Sequence, residues 1–389
     1  MRIYFDNNAT TPLHPGVKNK MIEFMDLYGN ASSVHQFGRE ARKYIEEARE
    51  NVADFLECKP EEIIFTSGGS ESNNLVLKGI GCPANCIGQC RKTLHIITSV
   101  LEHPSVLSTC RCLEETGIKV TYIPVDKYGM INPADVENAI QKDTALISIM
   151  YANNEIGTIQ PIKEIAAIAR KHGVLMHTDA VQAAGKVEFS IKELGVDFLS
   201  ISAHKIYGPK GVGALYMREG LSLCSLITGG HQEKEIRAGT ENNIGIIGMG
   251  EACRLIKKEM HEEIPRLLQL RKRLEDGINK KVPDVNLNGH PEKRLPGTVN
   301  YTFKYVEGES ILLRLDMLGI AVSTGSACSS GSLDPSHVIL SLGVNPEDAH
   351  GSIRFSLGRE NTEEEIDYTI DSVVKSIEWL RKLSPLYPG

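Results

Sequence analysis

Short, almost wholly apolar runs alternate with amphipathic helices along the first two thirds of the chain, and this alternation limits the possible folds more than any other feature. Strand patterns lie at 62–66, 94–98, 118–123, 144–150, 174–178, 197–201 and 213–217. Helical patterns lie at 37–56, 70–80, 104–116, 133–141 and 161–171. Strands this apolar are buried on both faces, as in a mainly parallel sheet that is flanked by helices. The pattern therefore predicts an α/β fold.

The last third of the chain predicts a smaller α+β domain. Its elements are a long helix at 244–280, then strand 297–302, helix 308–318, strand 320–323, helix 335–342, strand 352–356 and helix 362–382. We expect a large domain over 15–260, and a small domain formed by 1–14 with 261–389, which carries a Ser/Gly-rich loop at 323–336. Residues 81–92 resemble an inserted loop.

Charge and apolar content exclude several classes of protein. The net charge is −7 and both signs are interspersed, which argues against a nucleic-acid binder. No apolar run approaches the roughly 18 residues of a membrane span, and MRIYFDNNATT at the start has no apolar signal core. Nine cysteines, an odd number, predict free thiols. These features predict a cytoplasmic enzyme that binds neither nucleic acid nor membrane.

A lysine and an aspartate follow two of the predicted strands. Asp179 ends one strand, and Lys205 follows the next one in the phrase Ser202-Ala203-His204-Lys205. Ligands of open α/β sheets gather at the carboxyl ends of strands. There, Lys205 suits Schiff-base chemistry, provided that a cationic neighbour or desolvation removes its proton, and Asp179 could pair with a protonated cofactor ring. Asp179 could equally be a helix N-cap. Gln182 is close enough in sequence to reach the same site.

Two further positions suggest cofactor contacts. Gly68-Gly69-Ser70 lies between a strand and a helix, where backbone N–H groups bind phosphate well, although a plain turn with an N-cap serine explains it too. His103 follows a strand and could stack on a flat ring and move protons, although a lone histidine is more often structural. The glycine-rich stretch 208–213 precedes a strand, so we interpret it as a turn and not as a dinucleotide motif.

The loop at 323–332 contains a cysteine in polar surroundings. Cys328 is therefore predicted to be exposed and reactive, with an incidental surface thiol as the alternative. Arg354, in a short strand, could bind a carboxylate or form a structural ion pair. Three more cysteines at intervals of four residues, Cys82, Cys86 and Cys90, match no zinc or ferredoxin spacing.

Ten segments in order resemble the cysteine desulfurases of the NifS/IscS type. They are YFDNNATT, GNASSVH, FTSGGSESNN, EHPSV, NNEIGT, HTDAVQ, SAHKIYGPKG, RAGTEN, STGSACSSGSLDPSH and SIRFSLGR, and they run from about residue 3 to about residue 386. The resemblance implies pyridoxal-phosphate enzymes with the type I transferase fold, that of aspartate aminotransferase, in which the main sheet has seven strands. It also implies a homodimer that hands sulfur to an iron–sulfur scaffold protein.

The resemblance implies a role for each matching residue. Lys205 forms the Schiff base and removes the substrate's α-proton, Arg354 binds the substrate carboxylate, and the Cys328 thiolate attacks the sulfur of L-cysteine, which leaves L-alanine and a persulfide. The cofactor ring is held by Asp179, Gln182, Asn154 and a stacked His103, and Asn154 also binds the substrate. Its phosphate is held by Gly69, Ser70, Ser202 and His204, with Thr240 from the partner subunit. Cys328 is also a candidate transient ligand of an iron–sulfur cluster.

The chain departs from the family pattern in two places. The usual Ala-Thr of the phosphate turn is Gly69-Ser70, which keeps a hydroxyl, and the insertion with its three cysteines has no family counterpart. Three alternatives remain: a selenocysteine lyase, a plain aminotransferase and a non-catalytic cluster scaffold. Cys328 argues against the aminotransferase, which needs no thiol, and Lys205 with Asp179 argues against the scaffold.

Overall fold

The computed structural model describes residues 2–80, 94–324 and 334–388. The strands are β1 Ile3–Tyr4, β2 Ile63–Thr66, β3 His95–Ser99, β4 Lys119–Ile123, β5 Thr144–Ser148, β6 Leu175–Asp179, β7 Phe198–Ser202, β8 Gly213–Met217, β9 Val285–Asn288, β10 Thr298–Phe303, β11 Ile320–Ala321 and β12 Ser352–Ser356. The helices are α1 Pro15–Glu23, α2 Gln36–Leu56, α3 Gly69–Gly79, α4 Pro104–Glu115, α5 Pro133–Ala139, α6 Ile162–Lys171, α7 Ile191–Leu194, α8 Asn243–Lys281, α9 Gly308–Met317, α10 His337–Ser341, α11 Pro346–Ala349 and α12 Glu363–Leu383.

The seven strands predicted in the first two thirds of the chain form one sheet, in the order β2-β8-β7-β6-β5-β3-β4. Strand β8 is antiparallel to both of its neighbours and the remaining pairs are parallel. His177 in β6 links Ser148 of β5 (2.8 Å) to Ser200 of β7 (3.0 Å), and burial lowers its pKa to about 3. This histidine is therefore neutral and has a structural role. The observed sheet confirms the prediction of seven strands.

A second core lies in the C-terminal part of the chain. A three-stranded antiparallel sheet, β12-β10-β9, packs with α9 and α12, and Ile3 and Phe5 from the N-terminus join the same core. Helix α8 runs through both regions, because residues up to Met260 pack in the core beside the large sheet and residues from Leu267 pack in the second core. The division of the domains near 14/15 and 260/261 stays a proposal, with which these two cores are consistent.

Short elements were harder to predict than long ones. Strand β1 has two residues and exists because Ile3 pairs with Ile320, far along the chain. The predicted helix at 335–342 is limited to His337–Ser341, and the predicted strand at 320–323 to Ile320–Ala321. Elements this short carry too little periodicity for their ends to be placed from sequence. None of the helices described is both long and apolar enough to cross a membrane.

Candidate active site

Most of the predicted site residues line one cavity of about 240 Å³. These residues are Gly69, Ser70, His103, Asn154, Asp179, Gln182, Ser202, His204, Lys205 and Arg354. The cavity lies at the carboxyl ends of β6 and β7, since Asp179 and Ser202 are the last residues of those strands. The parallel sheet thus brings together residues that are far apart in sequence, as expected for an open α/β sheet.

Asp179 is held in place by two donors. Its Oδ2 accepts a 2.6 Å hydrogen bond from Asn73 Nδ2, and its Oδ1 accepts a 3.0 Å hydrogen bond from the Val181 N–H. The side chain is buried, with 6% of the residue exposed. A carboxylate fixed at both oxygens keeps its orientation, as a partner for a protonated ring nitrogen requires.

The same asparagine connects Asp179 to His103. Asn73 Nδ2 also donates to Ser105 Oγ (2.9 Å), which lies 2.8 Å from His103 Nδ1. The Ser105 backbone N–H donates to that nitrogen as well, at 3.1 Å. Nδ1 is therefore an acceptor, so the proton of the neutral ring is on Nε2. Burial lowers the pKa of His103. The charge of Asp179 raises this pKa and the charge of Lys205 lowers it. The net change is downward, so the neutral form is favoured.

The turn before α3 allows close approach of the backbone. Gly68 has φ +153° and gives α3 no side-chain cap. A Cβ on Gly213 would lie 2.6 Å from the Gly68 Cα, so the first residue of β8 must also be glycine for the turn to lie against the sheet. A helix N-terminus whose amides have no side-chain cap is well suited to a phosphate group. The stretch 208–213 is a turn into β8, as interpreted.

Ser202 and His204 reach the same end of the cavity from β7 and from the turn that follows it. His204 Nδ1 lies 3.1 Å from Thr10 Oγ1. Burial, together with the charges of Lys205, Lys210 and Lys186, lowers its pKa to about 4. The imidazole is therefore neutral at physiological pH and contributes a hydrogen bond rather than a charge.

Asn8 joins Lys205 to two other side chains of the site. Its carbonyl oxygen accepts from Lys205 Nζ (2.5 Å) and from Gln182 Nε2 (2.9 Å). Lys186 Nζ donates to Asn8 Oδ1 (3.1 Å) and to Gln182 Oε1 (2.9 Å). The Gln182 amide is thus fixed at both ends, which assigns its oxygen and its nitrogen.

Arg354 lies in β12 with 3% of the residue exposed. Its Nη2 forms a 2.7 Å ion pair with Asp6 Oδ1, its Nη1 donates to the Asn154 carbonyl (3.0 Å), and its Nε has no partner in the described structure. The guanidinium therefore has hydrogen-bonding capacity left for a carboxylate in the cavity.

Cys328 itself lies outside the described residues. Before its segment, Ser323 pairs through its backbone with Arg354 of the cavity at 2.7 and 3.2 Å. After it, Ser336 Oγ lies 2.5 Å from Glu155 Oε2, and His337 Nε2 lies 3.2 Å from the Glu102 carbonyl. Glu155 and Glu102 are the sequence neighbours of the cavity residues Asn154 and His103.

Thr240 is exposed and does not line the cavity of its own subunit. The segment before it, residues 233–237, is held in place by two ion pairs. Glu233 binds Arg49 at 2.7 and 2.9 Å, and Arg237 binds Glu71 of the phosphate turn at 2.9 Å. Three successive residues here, from Glu233 to Glu235, have positive φ angles. Since such backbone is costly for residues with a Cβ, the ion pairs hold a strained segment in place.

The described residues contain no cluster of three or more His, Cys, Asp or Glu side chains that could hold a metal. The suggested cluster ligand, Cys328, lies outside the described residues, and so do the three cysteines of the insertion, Cys82, Cys86 and Cys90. Among the described residues, Cys58, Cys110, Cys112 and Cys253 are free thiols.

Sequence reasoning missed the residues that orient the predicted ones. Asn73 orients Asp179, Asp6 orients Arg354, and Asn8 with Lys186 orients Gln182. One signal was available, because Lys186 follows Gln182 by four residues, the spacing that places two side chains together on a helical turn. Asp6 and Asn8 gave no such signal, since their partners lie far away in the chain.

The residues of the cavity fit pyridoxal phosphate. The Lys205 amine, the buried Asp179 carboxylate and the N-terminus of α3 all lie at the same cavity. An amine can form a Schiff base, a fixed carboxylate can pair with a pyridinium nitrogen, and a helix N-terminus without a side-chain cap can bind a phosphate. The fold and the site thus define a pyridoxal-phosphate-dependent transferase.

Comparison with known proteins agrees with this class. The class-V aminotransferase profile matches residues 3–369, so the chain belongs to that family. It is 53% identical to a cysteine desulfurase IscS of Dictyoglomus turgidum over 98% of this chain and 96% of the relative, and 51% identical to one of Methanosarcina thermophila over 99% and 94%. Family membership confirms the predicted fold class and the predicted cofactor.

Solved structures give the same result. A NifS-like protein superposes with a TM-score of 0.90 at 40% identity, and covers 98% of this chain and 100% of its own. A structure of SspA in complex with cysteine superposes with a TM-score of 0.81 at 37% identity, with 91% and 98% covered.

Proposed function

We propose that the chain is a cysteine desulfurase that converts L-cysteine to L-alanine and leaves the sulfur as a persulfide on Cys328. The observation that carries the proposal is the convergence of Lys205, Asp179, His103 and Arg354 on one cavity. The described residues that flank the Cys328 segment support the proposal, since Ser323 pairs with Arg354 of the cavity and Ser336 contacts Glu155, the neighbour of Asn154. The high identity to cysteine desulfurases over nearly the full chain supports the same activity.

Each residue has a defined task. Arg354 binds the substrate carboxylate, and Lys205 takes the α-proton and returns a proton to the product. His103, which carries its proton on Nε2, is a donor toward the cavity in its resting state. When bound, the cofactor supplies the electron sink for the bond changes. The Cys328 thiolate attacks the substrate sulfur, so the C–S bond breaks as an S–S bond forms, and a proton on the former Cβ completes L-alanine.

The activity is tested by measuring alanine and sulfide from L-cysteine, together with the absorbance spectrum. We expect Cys328→Ala to keep the cofactor absorbance and to lose sulfide release, because the nucleophile alone is removed. We expect Lys205→Ala to lose the absorbance of the cofactor–lysine linkage. Unchanged desulfuration by Cys328→Ala would refute the role of this thiol.

The same assay separates the alternatives. A selenocysteine lyase would form alanine from selenocysteine and little from cysteine. A non-catalytic cluster scaffold would purify with iron and without the cofactor band, and a plain aminotransferase would not need Cys328.

We also propose a homodimer in which Thr240 contributes to the partner's phosphate site. Large apolar side chains, Met25, Tyr28, Val34 and Phe37, are 52–88% exposed near the start of α2. Asn243 donates to the Gly29 carbonyl (3.0 Å), which connects the Thr240 segment to this surface. Burial of such a surface between two copies would remove the apolar area from water. Light scattering that reports a monomer at micromolar concentration would contradict the dimer.

The final acceptor of the sulfur is proposed to be an iron–sulfur scaffold protein in the cytoplasm. The name IscS of the relatives supports this assignment. Radiolabelled sulfur from cysteine should move from Cys328 to a purified scaffold protein, and a label that stays on the enzyme would argue against direct transfer.

A further inference from the structure

The carboxylate of Glu71 has no role in the reaction described so far, although it lies in the first turn of α3, directly after the cavity residues Gly69 and Ser70. Its Oε2 accepts a 2.8 Å hydrogen bond from the Ser67 N–H, and 10% of the side chain is exposed. Glu71 therefore supports the turn that leads from β2 into α3.

The charge of Glu71 is unfavourable for a phosphate at this turn. The N-terminus of a helix attracts anions, and a carboxylate that is fixed there repels a second anion beside it. Burial raises the pKa of Glu71, whereas the hydrogen bonds from Arg237 and Ser67 and the charge of Arg237 lower it, and the net change is downward. Glu71 is therefore ionised at neutral pH.

Arg237 supplies the opposite charge. Its Nε donates to Glu71 Oε1 at 2.9 Å, and 24% of its side chain is exposed. The backbone of Arg237 forms a bridge with Ile227, and Glu233 at the start of the same segment accepts from the Phe65 N–H of β2 at 2.9 Å. The guanidinium thus approaches the turn from a segment that is itself attached to the sheet.

The side chains proposed to hold the phosphate carry no charge. Ser70 and Ser202 present hydroxyl groups, and the lowered pKa of His204 keeps its imidazole neutral. None of these three side chains offsets the charge of Glu71, so the compensation falls to Arg237.

We propose that Arg237 is a positioning residue for the cofactor phosphate, whose guanidinium compensates the charge of Glu71 and so lets this carboxylate support the turn without repelling the phosphate. The inference rests on the proposed placement of the phosphate at Gly69 and Ser70. It goes beyond the proposed function, which uses neither Arg237 nor Glu71.

The test compares pyridoxal phosphate with pyridoxal, which differ only in the phosphate, as ligands of the cofactor-free protein. The absorbance of the cofactor–lysine linkage measures both affinities. We expect Arg237→Met to weaken the binding of pyridoxal phosphate about tenfold and to leave the binding of pyridoxal unchanged, because only the phosphate is repelled by the uncompensated carboxylate. Equal weakening for both ligands would indicate a merely structural role and would overturn the proposal.

A second substitution separates charge from geometry. In the double variant Arg237→Met with Glu71→Gln, the amide oxygen can still accept from the Ser67 N–H but carries no charge, so we expect native affinity for pyridoxal phosphate to return. An affinity that stays low would show that Arg237 acts by holding its own segment, including Thr240, and would overturn the proposal.

Glu71→Gln alone does not depend on whether Arg237→Met folds. It leaves the guanidinium uncompensated, so it should bind pyridoxal phosphate more tightly than the native chain does and pyridoxal equally well. An unchanged affinity for pyridoxal phosphate would show that the phosphate does not sense Glu71, and would overturn the proposal.

Arg218→Met is the matched control. Arg218 pairs with Asp197 at 2.6 Å just beyond Met217, the last residue of β8, whereas the phosphate turn lies against Gly213, the first residue of that strand. This variant should bind both ligands as the native chain does. A native chain that shows no preference for pyridoxal phosphate over pyridoxal would overturn the inference. One that prefers pyridoxal phosphate but releases no sulfide from cysteine would refute only the proposed function.

Discussion

Arg354 and Asp6 form a 2.7 Å ion pair although 348 residues separate them in the sequence. The arginine side chain is almost completely enclosed, with 4% exposed, whereas 22% of the aspartate side chain is exposed. A buried guanidinium without its counter-ion is strongly destabilising. Asp6 therefore both stabilises the fold and fixes the guanidinium that is proposed to bind the substrate carboxylate.

We expect Asp6→Ala to lower the free energy of unfolding by about 3 kcal/mol, because it leaves Arg354 unpaired. In the background of Arg354→Met the same change should cost less than about 1 kcal/mol, because no buried charge remains. Urea denaturation of the two single variants and the double variant gives the coupling energy. Additive effects would show that the pair is not energetically coupled.

Asn73→Ala should weaken cofactor binding about tenfold. It removes a hydrogen bond to the Asp179 carboxylate, and bonds to charged groups contribute roughly 1.5–3 kcal/mol. Ser105→Ala is the matched control, since it removes a neighbouring hydroxyl of the same network but leaves the bond between Asn73 and Asp179, and the Ser105 N–H still donates to His103. Titration with pyridoxal phosphate measures the affinities, and equal weakening by both variants would contradict the assigned role of Asn73.

Gly69 replaces the alanine that is usual in this family, and the structure gives a reason. A Cβ at position 69 would lie 2.5 Å from Val181 Cγ2. We expect Gly69→Ala to destabilise the native chain by about 1–3 kcal/mol through this overlap. In a Val181→Ala background the overlap is gone, and alanine is preferred to glycine in a helix, so the same change should be neutral or stabilising. Thermal unfolding of the four proteins checks this, and the same penalty in both backgrounds would exclude the overlap as its cause.

Glu102 makes stability depend on pH. Its Oε1 accepts from Ser99 Oγ (2.7 Å) and from the Met150 N–H (2.9 Å), whereas Oε2 has no partner in the described structure. Burial, with a smaller contribution from the charge of Asp179, raises its pKa to about 8. The unfolded carboxyl loses its proton near pH 4, whereas the folded one keeps it until about pH 8. The free energy of unfolding therefore falls as pH rises through this interval.

We expect Glu102→Gln to remove this dependence, because the amide oxygen keeps both hydrogen bonds and carries no proton to lose. Relative to the native chain, the variant should gain on the order of 2 kcal/mol between pH 5 and pH 9. Melting temperatures at several pH values measure the gain. A constant difference between the two proteins across that range would show that Glu102 does not titrate as stated.

Most of the proposed catalytic and cofactor-binding residues could be identified from the sequence alone. Asp179, Ser202 and Lys205 follow apolar runs, and a parallel sheet places the ends of such runs side by side. His103 immediately precedes α4 and Gly69 is the first residue of α3, and both helices begin close to their predicted positions. The roles of these residues came from the resemblance to the family. The structure brings them to one cavity, although it leaves each individual role as a proposal.

The sequence by itself determined most of the longer strands and helices, since a period of two or of 3.6 is a local property that can be read without knowledge of any distant residue. It also supplied the residues that take part in the chemistry. Only the tertiary structure decided the strand order with its antiparallel β8, and the neighbours that orient the site, such as Asp6 beside Arg354 and Asn8 beside Lys186. These contacts join segments that meet only after the sheet and the second core have packed, so no local pattern encodes them.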